Sequence, residues 1–187
     1  MRADIEAPQK PTKSNEWYTP SYILEAAREV MGGIDLDPAS CALANETVKA
    51  TRYFTKHDDG LAQAWSGRTW LNPPYSLEGT PRGMISPRES IVKLWIVRLI
   101  AEYKGGHVSE AILLTKADPK QRWFQPLWEF PICFHPGKVI FNRPDAPPEG
   151  HMFGSVFVYL GPHEDAFINV FQHLGTVARC IAPHLTK

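Results

Sequence analysis

"RTWLNPPYS", residues 68–76, ends a short apolar run with an asparagine, two prolines and a tyrosine. Thr69-Trp70-Leu71 has the β-branched and aromatic composition of a strand. Proline lacks a backbone N–H, holds φ fixed and pushes the preceding residue toward extended geometry, so Asn72-Pro73-Pro74 continues neither as helix nor as central strand. The stretch therefore predicts a stiff corner at a strand end, displaying an amide and a phenol. What such a corner can bind depends on the sheet around it, and the rest of the chain predicts that sheet.

Upstream, Pro20 precedes SYILEAAREVM, with Ile23, Ala26, Ala27, Val30 and Met31 at helical spacing. Ser21 is a candidate cap and Gly32-Gly33 the stop. Residues 34–37 read as a brief strand ending in the Asp37 carboxylate, where Pro38 bars further pairing. A second helix is predicted over 42–49. Downstream, residues 76–90 are rich in Gly, Pro and Ser without periodicity, which predicts a long loop; unstructured segments of about 12 to 15 residues are uncommon in compact domains unless they serve as lids or binding segments. IVKLWIVRLIAEYKGG is an amphipathic helix with a glycine stop. The pattern then predicts a buried strand at 111–115, a short helix at 120–128 and two strands around a His-Pro-Gly turn within 132–141. A strand at 155–160, a helix at 164–174 and a last strand at 177–182 complete it.

No internal repeat is present. Strands alternating with helices predict an α/β fold: a mostly parallel mixed sheet with helices on both faces and a hairpin-like excursion in the second half. In open sheets of this kind ligands sit at the carboxyl ends of the strands. The Asp37-Pro38 and Asn72-Pro73-Pro74-Tyr75 corners both fall at such ends, so the expectation is one shared crevice.

Composition narrows the class of protein. With 187 residues, 43% hydrophobic and 21% charged, the chain suits one globular domain over 16–187, preceded by a polar, mobile tail over 1–15. No apolar run approaches the roughly 18 to 20 residues of a membrane span, and the opening residues lack the apolar core of a signal peptide, which predicts no membrane association and a cytoplasmic location. Cys41, Cys133 and Cys180 are widely spaced and form no CxxC pair, so they are expected to be reduced thiols without a disulfide framework or a metal site. Twenty basic and twenty acidic side chains cancel. Any nucleic-acid surface must then be local.

The corner itself points to a chemistry. The Asn72 side-chain oxygen and the Pro73 carbonyl are two acceptors on a rigid backbone, suited to both hydrogens of a planar amino group, and Tyr75 adds a face for stacking. That describes a site for the exocyclic amine of adenine or cytosine. Neither acceptor is a strong base, so the site would orient a lone pair and stabilise developing positive charge, which suits attack on an already activated electrophile. The plainer alternative is that Pro-Pro merely ends a strand and Tyr75 packs in the core.

"EWYTP" (residues 16–20), "IDLDPAS" (34–40), "KHDDGL" (56–61) and "WLNPPYS" (70–76), in that order, resemble the phage-type DNA N-6-adenine methyltransferases, the short Dam-like enzymes of bacteriophages and prophages. The resemblance is dense from Trp17 to Ser76 and thinner in "AILLTKADPKQRWF" and "CFHPGKVIFNRP". It implies a Rossmann-like, S-adenosylmethionine-dependent methyltransferase fold and transfer of a methyl group to the N-6 amine of an adenine flipped out of double-stranded DNA. It further implies a bacterial host cytoplasm, with phage-DNA protection of the restriction-modification kind or regulation as the purpose. By resemblance Asn72, Pro73, Pro74 and Tyr75 are the catalytic motif. Trp17, Tyr18, Thr19 and Pro20 would belong to the cofactor site, as would Asp37, Pro38, Ala39 and Ser40. Asp37 suits an α-ammonium group, and a following helix N-terminus suits the carboxylate. Asp58, with Asp59 beside it, is a candidate acceptor for the cofactor's adenine amine.

Against the wider methyltransferase pattern, no glycine cluster follows the first strand and no second strand ends in a lone acidic residue for the ribose. Arg82, Arg88 and Lys93 around the long loop, and Lys116, Lys120 and Arg122 after the later strand, are candidate phosphate contacts. Trp123 and Phe124 are candidates to wedge into the duplex or line the base pocket, with core packing as the alternative. Cytosine amine methylation and a catalytically silent nucleic-acid binding module stay open. The target sequence and the oligomeric state are not legible.

Overall fold

The computed structural model describes residues 16–75, 91–144, 146–150 and 153–179. The tail over 1–15, the loop over 76–90 with Arg82 and Arg88, and Cys180 lie outside the described residues. The helices are α1 (Ser21–Met31), α2 (Ala42–Val48), α3 (Ile91–Lys104) and α4 (Glu164–Phe171), with a 3-10 turn at Gln125–Glu129. The strands are β1 (Leu36–Asp37), β2 (Arg52–Tyr53), β3 (Gly67–Leu71), β4 (Val108–Lys116), β5 (Ile132–Phe134), β6 (Ile140–Arg143), β7 (Ala146–Gly150), β8 (Ser155–Leu160) and β9 (Thr176–Ala178).

Seven strands form one sheet in the order β2-β1-β3-β4-β8-β5-β9, and β6 and β7 form a separate ribbon. β2, β1, β3 and β4 are parallel, β8 is antiparallel to both β4 and β5, and β9 is antiparallel to β5. Five strands therefore point one way and β8 and β9 the other, a mixed and mostly parallel sheet as the alternation predicts.

Burial on both faces explains why β4 reads as a continuous apolar run. Ile112 and Leu114 pack with Trp70, Phe157 and Tyr159 beneath α1 and α4, whereas Ala111 and Leu113 pack with Leu71 and Val158 beneath α3. At the parallel edge, Asp35 and Arg68 join the start of β1 to β3 through bonds of 2.7 and 2.8 Å. The guanidinium holds the Asp35 carboxyl down at about 2.

Several local expectations need correction. Ser21 does not cap α1: Pro20 occupies the cap position without a side-chain bond, and its carbonyl accepts from the Ile23 and Leu24 amides. The predicted hairpin within 132–141 is absent, because β5 pairs with β8 and β9 while β6 pairs with β7. Ile132 and Cys133 are both buried, which requires a place inside the main sheet, whereas β6 alternates exposed and buried and suits a one-sided ribbon. β7 was hidden by its prolines, tolerated there on an edge. β2 is short and partly exposed, with no apolar alternation to announce it. The helix predicted at 120–128 shrinks to the 3-10 turn, with Pro126 at its start.

Candidate active site

At the carboxyl ends of β1, β3 and β4 lies a cavity of about 440 Å³. Asp37, Pro38, Ala39 and Ser40 enter it from the end of β1, and Asn72, Pro73, Pro74 and Tyr75 from the end of β3. Trp17, Tyr18 and Thr19 come from the segment before α1, and Thr55, Lys56, Asp59 and Gly60 from the loop after β2. The two proline corners do share one crevice. The reason is topological: β1 and β3 are parallel neighbours, so both chains leave the sheet on the same side.

The Asn72 amide is turned by its neighbours. Its Nδ2 donates to the Trp17 carbonyl (3.3 Å) and to Thr19 Oγ1 (3.4 Å). A carbonyl can only accept, so this pairing assigns nitrogen toward Trp17 and leaves Oδ1 for the cavity that Asn72 lines. The Trp17 segment is itself pinned by the ribbon. Tyr18 and Asn142 exchange two backbone bonds of 2.9 Å, the Trp17 ring meets Phe141 edge-on at 6.0 Å, and the Arg143 guanidinium lies over Trp17 at 4.7 Å.

Asp37 is buried, at 3% exposure. Burial pushes its carboxyl up to about 6, against the opposing bond from the Ala39 amide (3.1 Å). Ser40 is close enough to favour the ionised form, yet outside hydrogen-bond geometry, so its Oγ is buried without a partner among the described residues. Gly60 closes this corner of the cavity. A Cβ there would stand 2.0 Å from the Pro38 carbonyl oxygen, so only glycine lets the loop after β2 approach the end of β1.

Tyr75 lies with its hydroxyl 3.2 Å from Thr115 Oγ1 at the end of β4. Burial pushes the phenol up to about 12, which keeps it protonated near neutrality. Its ring faces the Lys116 ammonium at 4.4 Å, and the same ammonium lies 4.5 Å from the Phe153 ring.

Other predicted residues fall elsewhere. Pro20 serves the start of α1 and is outside the cavity lining. Asp58 is also outside it, its carboxylate accepting from the Thr55 amide (2.8 Å) and hydroxyl (2.7 Å), while Asp59 reaches the lining. Lys120 and Arg122 are exposed and away from the cavity. Trp123 and Phe124 are buried in the core beneath α3, their rings 5.8 Å apart. Sequence reasoning passed over Gly60, Phe141 and Phe153. The "DDG" turn carried a usable signal for Gly60; a lone phenylalanine carries none, since its commonest place is a core.

Among the described residues no group of acidic, His or Cys side chains could hold a metal ion, and no helix is long and apolar enough to cross a membrane. The family model described as DNA N-6-adenine-methyltransferase (Dam) matches residues 7–134, well over half of the chain. No curated protein and no solved structure matches it.

Proposed function

This chain belongs to the DNA N-6-adenine-methyltransferase (Dam) family, and from that premise we propose that it methylates the N-6 amine of an adenine flipped out of DNA, with S-adenosylmethionine as donor. The observation that carries this reading is the meeting, in one cavity, of the buried Asp37 corner with the acceptors of the Asn72-Pro73-Pro74-Tyr75 corner.

The residues fit the cofactor. Asp37 offers a carboxylate to an α-ammonium group, and the unpartnered Ser40 Oγ offers a polar atom that the protein leaves unsatisfied. Thr19 and Asp59 stand at the same cavity for the remaining polar groups. When bound, S-adenosylmethionine supplies a methyl group already activated by its positive sulfur.

Asn72 Oδ1 and the Pro73 carbonyl accept the two hydrogens of the target amine, which aims its lone pair and stabilises positive charge developing on nitrogen. Trp17 and Thr19 hold the amide in the orientation this needs. Tyr75 contributes a stacking face, and its protonated phenol takes no part in proton removal. Extruding the base costs roughly a few kcal/mol, offset by such stacking and by the paired amine. By its resemblance to phage and prophage enzymes, we place the activity in a bacterial cytoplasm.

The test is incubation with labelled S-adenosylmethionine and genomic DNA, followed by digestion to nucleosides. Label is expected in N-6-methyladenine. Label in N-4-methylcytosine would move the reading to the other exocyclic amine, and no label in DNA would defeat it.

A further inference from the structure

Resting on that reading, we propose that Phe153 is the second wall of the slot that receives the flipped base, and that the Lys116 ammonium holds this slot while no base is present. Lys116 Nζ stands 4.4 Å from the Tyr75 ring centroid and 4.5 Å from that of Phe153. The two centroids are therefore no more than about 9 Å apart, the two distances laid end to end. A base stacked at roughly 4.5 Å from each ring would stand at the distances the ammonium now holds. An aromatic face attracts either a cation or another ring, and the ammonium and the base cannot share one place.

Phe153 is suited to this in other ways. It is 48% exposed, one of few large apolar side chains so placed among the described residues, although it lines the cavity. Its position is held by the sheet: Lys116 pairs with Ser155, and the Ala117 amide donates to the Gly154 carbonyl at 2.8 Å. Because β8 runs antiparallel to β4, the start of β8 lies where β4 ends, and since β3 and β8 flank β4, Phe153 comes to the cavity from the other side of β4 than Tyr75. Phe153 also lies beyond the stretch matched by the family model.

Lys116 behaves as a placeholder. It forms no ion pair among the described residues, and burial lowers its pKa, with Asp118 opposing. An ammonium that has already lost part of its hydration leaves such a slot at little cost, since water regains it.

Two measurements test the slot in the full-length chain. In the first, methyl transfer into genomic DNA is followed with DNA concentration varied, alongside the melting shift produced by S-adenosylmethionine. Phe153→Ala should lower kcat/KM for DNA roughly tenfold to a hundredfold, Phe153→Tyr should stay within about threefold of wild type, and the melting shift should be equal in all three. Wild-type kcat/KM in Phe153→Ala would overturn the slot and leave the adenine reading standing. In the second, binding of single-stranded oligonucleotides carrying 2-aminopurine is followed by the quenching that stacking causes, which needs no turnover. Quenching lost in Phe153→Ala supports the slot even if the wild type proves unable to methylate DNA; quenching unchanged overturns it. Lys116→Ala, which empties the slot and keeps its walls, should tighten oligonucleotide binding. Weaker binding would make Lys116 a phosphate contact and overturn the placeholder.

Discussion

At the scale of single residues, the proposed reaction divides the site into groups that would act through an acceptor, a charge and a face. Asn72→Ala removes the acceptor. Transfer should fall by at least about a hundredfold, whereas stability should change by about 1 kcal/mol at most, since the bonds lost are long, at 3.3 and 3.4 Å; radiolabel transfer and a urea melt measure the two. Tyr75→Phe keeps the ring and loses the hydroxyl with its bond to Thr115, so it should retain most activity. Tyr75→Ala loses the stacking face, worth roughly 1–3 kcal/mol per base, and should lose about tenfold or more. Asp37 supplies a pH signature. Its folded carboxyl titrates at about 6 because of burial, above the unfolded value of about 3.9. The folded chain thus binds the extra proton between those values, so this group's contribution to stability falls as pH rises from about 4 to about 6 and is fully lost above. Cofactor affinity should run oppositely. If the carboxylate holds the ammonium, affinity drops about tenfold for each pH unit below 6, and Asp37→Asn should bind weakly with a flat profile in titrations across that range.

At the scale of elements, the cavity depends on loops held against strand ends by contacts that a small change destroys. Gly60→Ala drives a methyl group to 2.0 Å from the Pro38 oxygen and 3.1 Å from the Trp95 ring. The loop after β2 must retreat, at a cost of about 3 kcal/mol or more by urea melt, with cofactor affinity reduced because Asp59 and Gly60 both line the site. The ribbon of β6 and β7 works at the same scale. Its backbone bonds to Tyr18 fix the segment whose Trp17 carbonyl turns the Asn72 amide, so a peripheral pair of strands determines which end of that amide faces the cavity.

At the scale of the whole molecule, ligand binding to the folded chain alone should appear as stability. S-adenosylmethionine at about a hundredfold over its Kd adds about 2.7 kcal/mol, which for a chain of this size raises Tm by roughly 5 to 10 °C. A melt unchanged at that excess would contradict the cofactor assignment. Zero net charge means that long-range attraction of the whole molecule to DNA is weak, so electrostatic contact with DNA must be local.

How far the molecule was legible follows from the range of the forces involved. Gly and Pro punctuation and the 3.6-residue spacing of Ile23, Ala27 and Val30 are local, so α1, β3, α3 and β8 and the corner after β3 could be read directly. Their alternation also predicted the layered sheet, because an element with an apolar face must bury it. The hairpin misread at 132–141 shows the limit: nothing local says that β5 belongs between β8 and β9, since the partners come from more than 20 residues downstream. The Asn72-Pro73-Pro74-Tyr75 corner and the Asp37-Pro38 corner were visible because backbone chemistry marks them. Tertiary structure alone turned the Asn72 amide, placed Asp58 outside the cavity and Asp59 within it, sent Trp123 to the core and brought the Tyr75 and Phe153 rings to one ammonium, that of Lys116. Each depends on strand order and direction, and those are decided by which buried faces fit together, a property no single stretch of the chain carries.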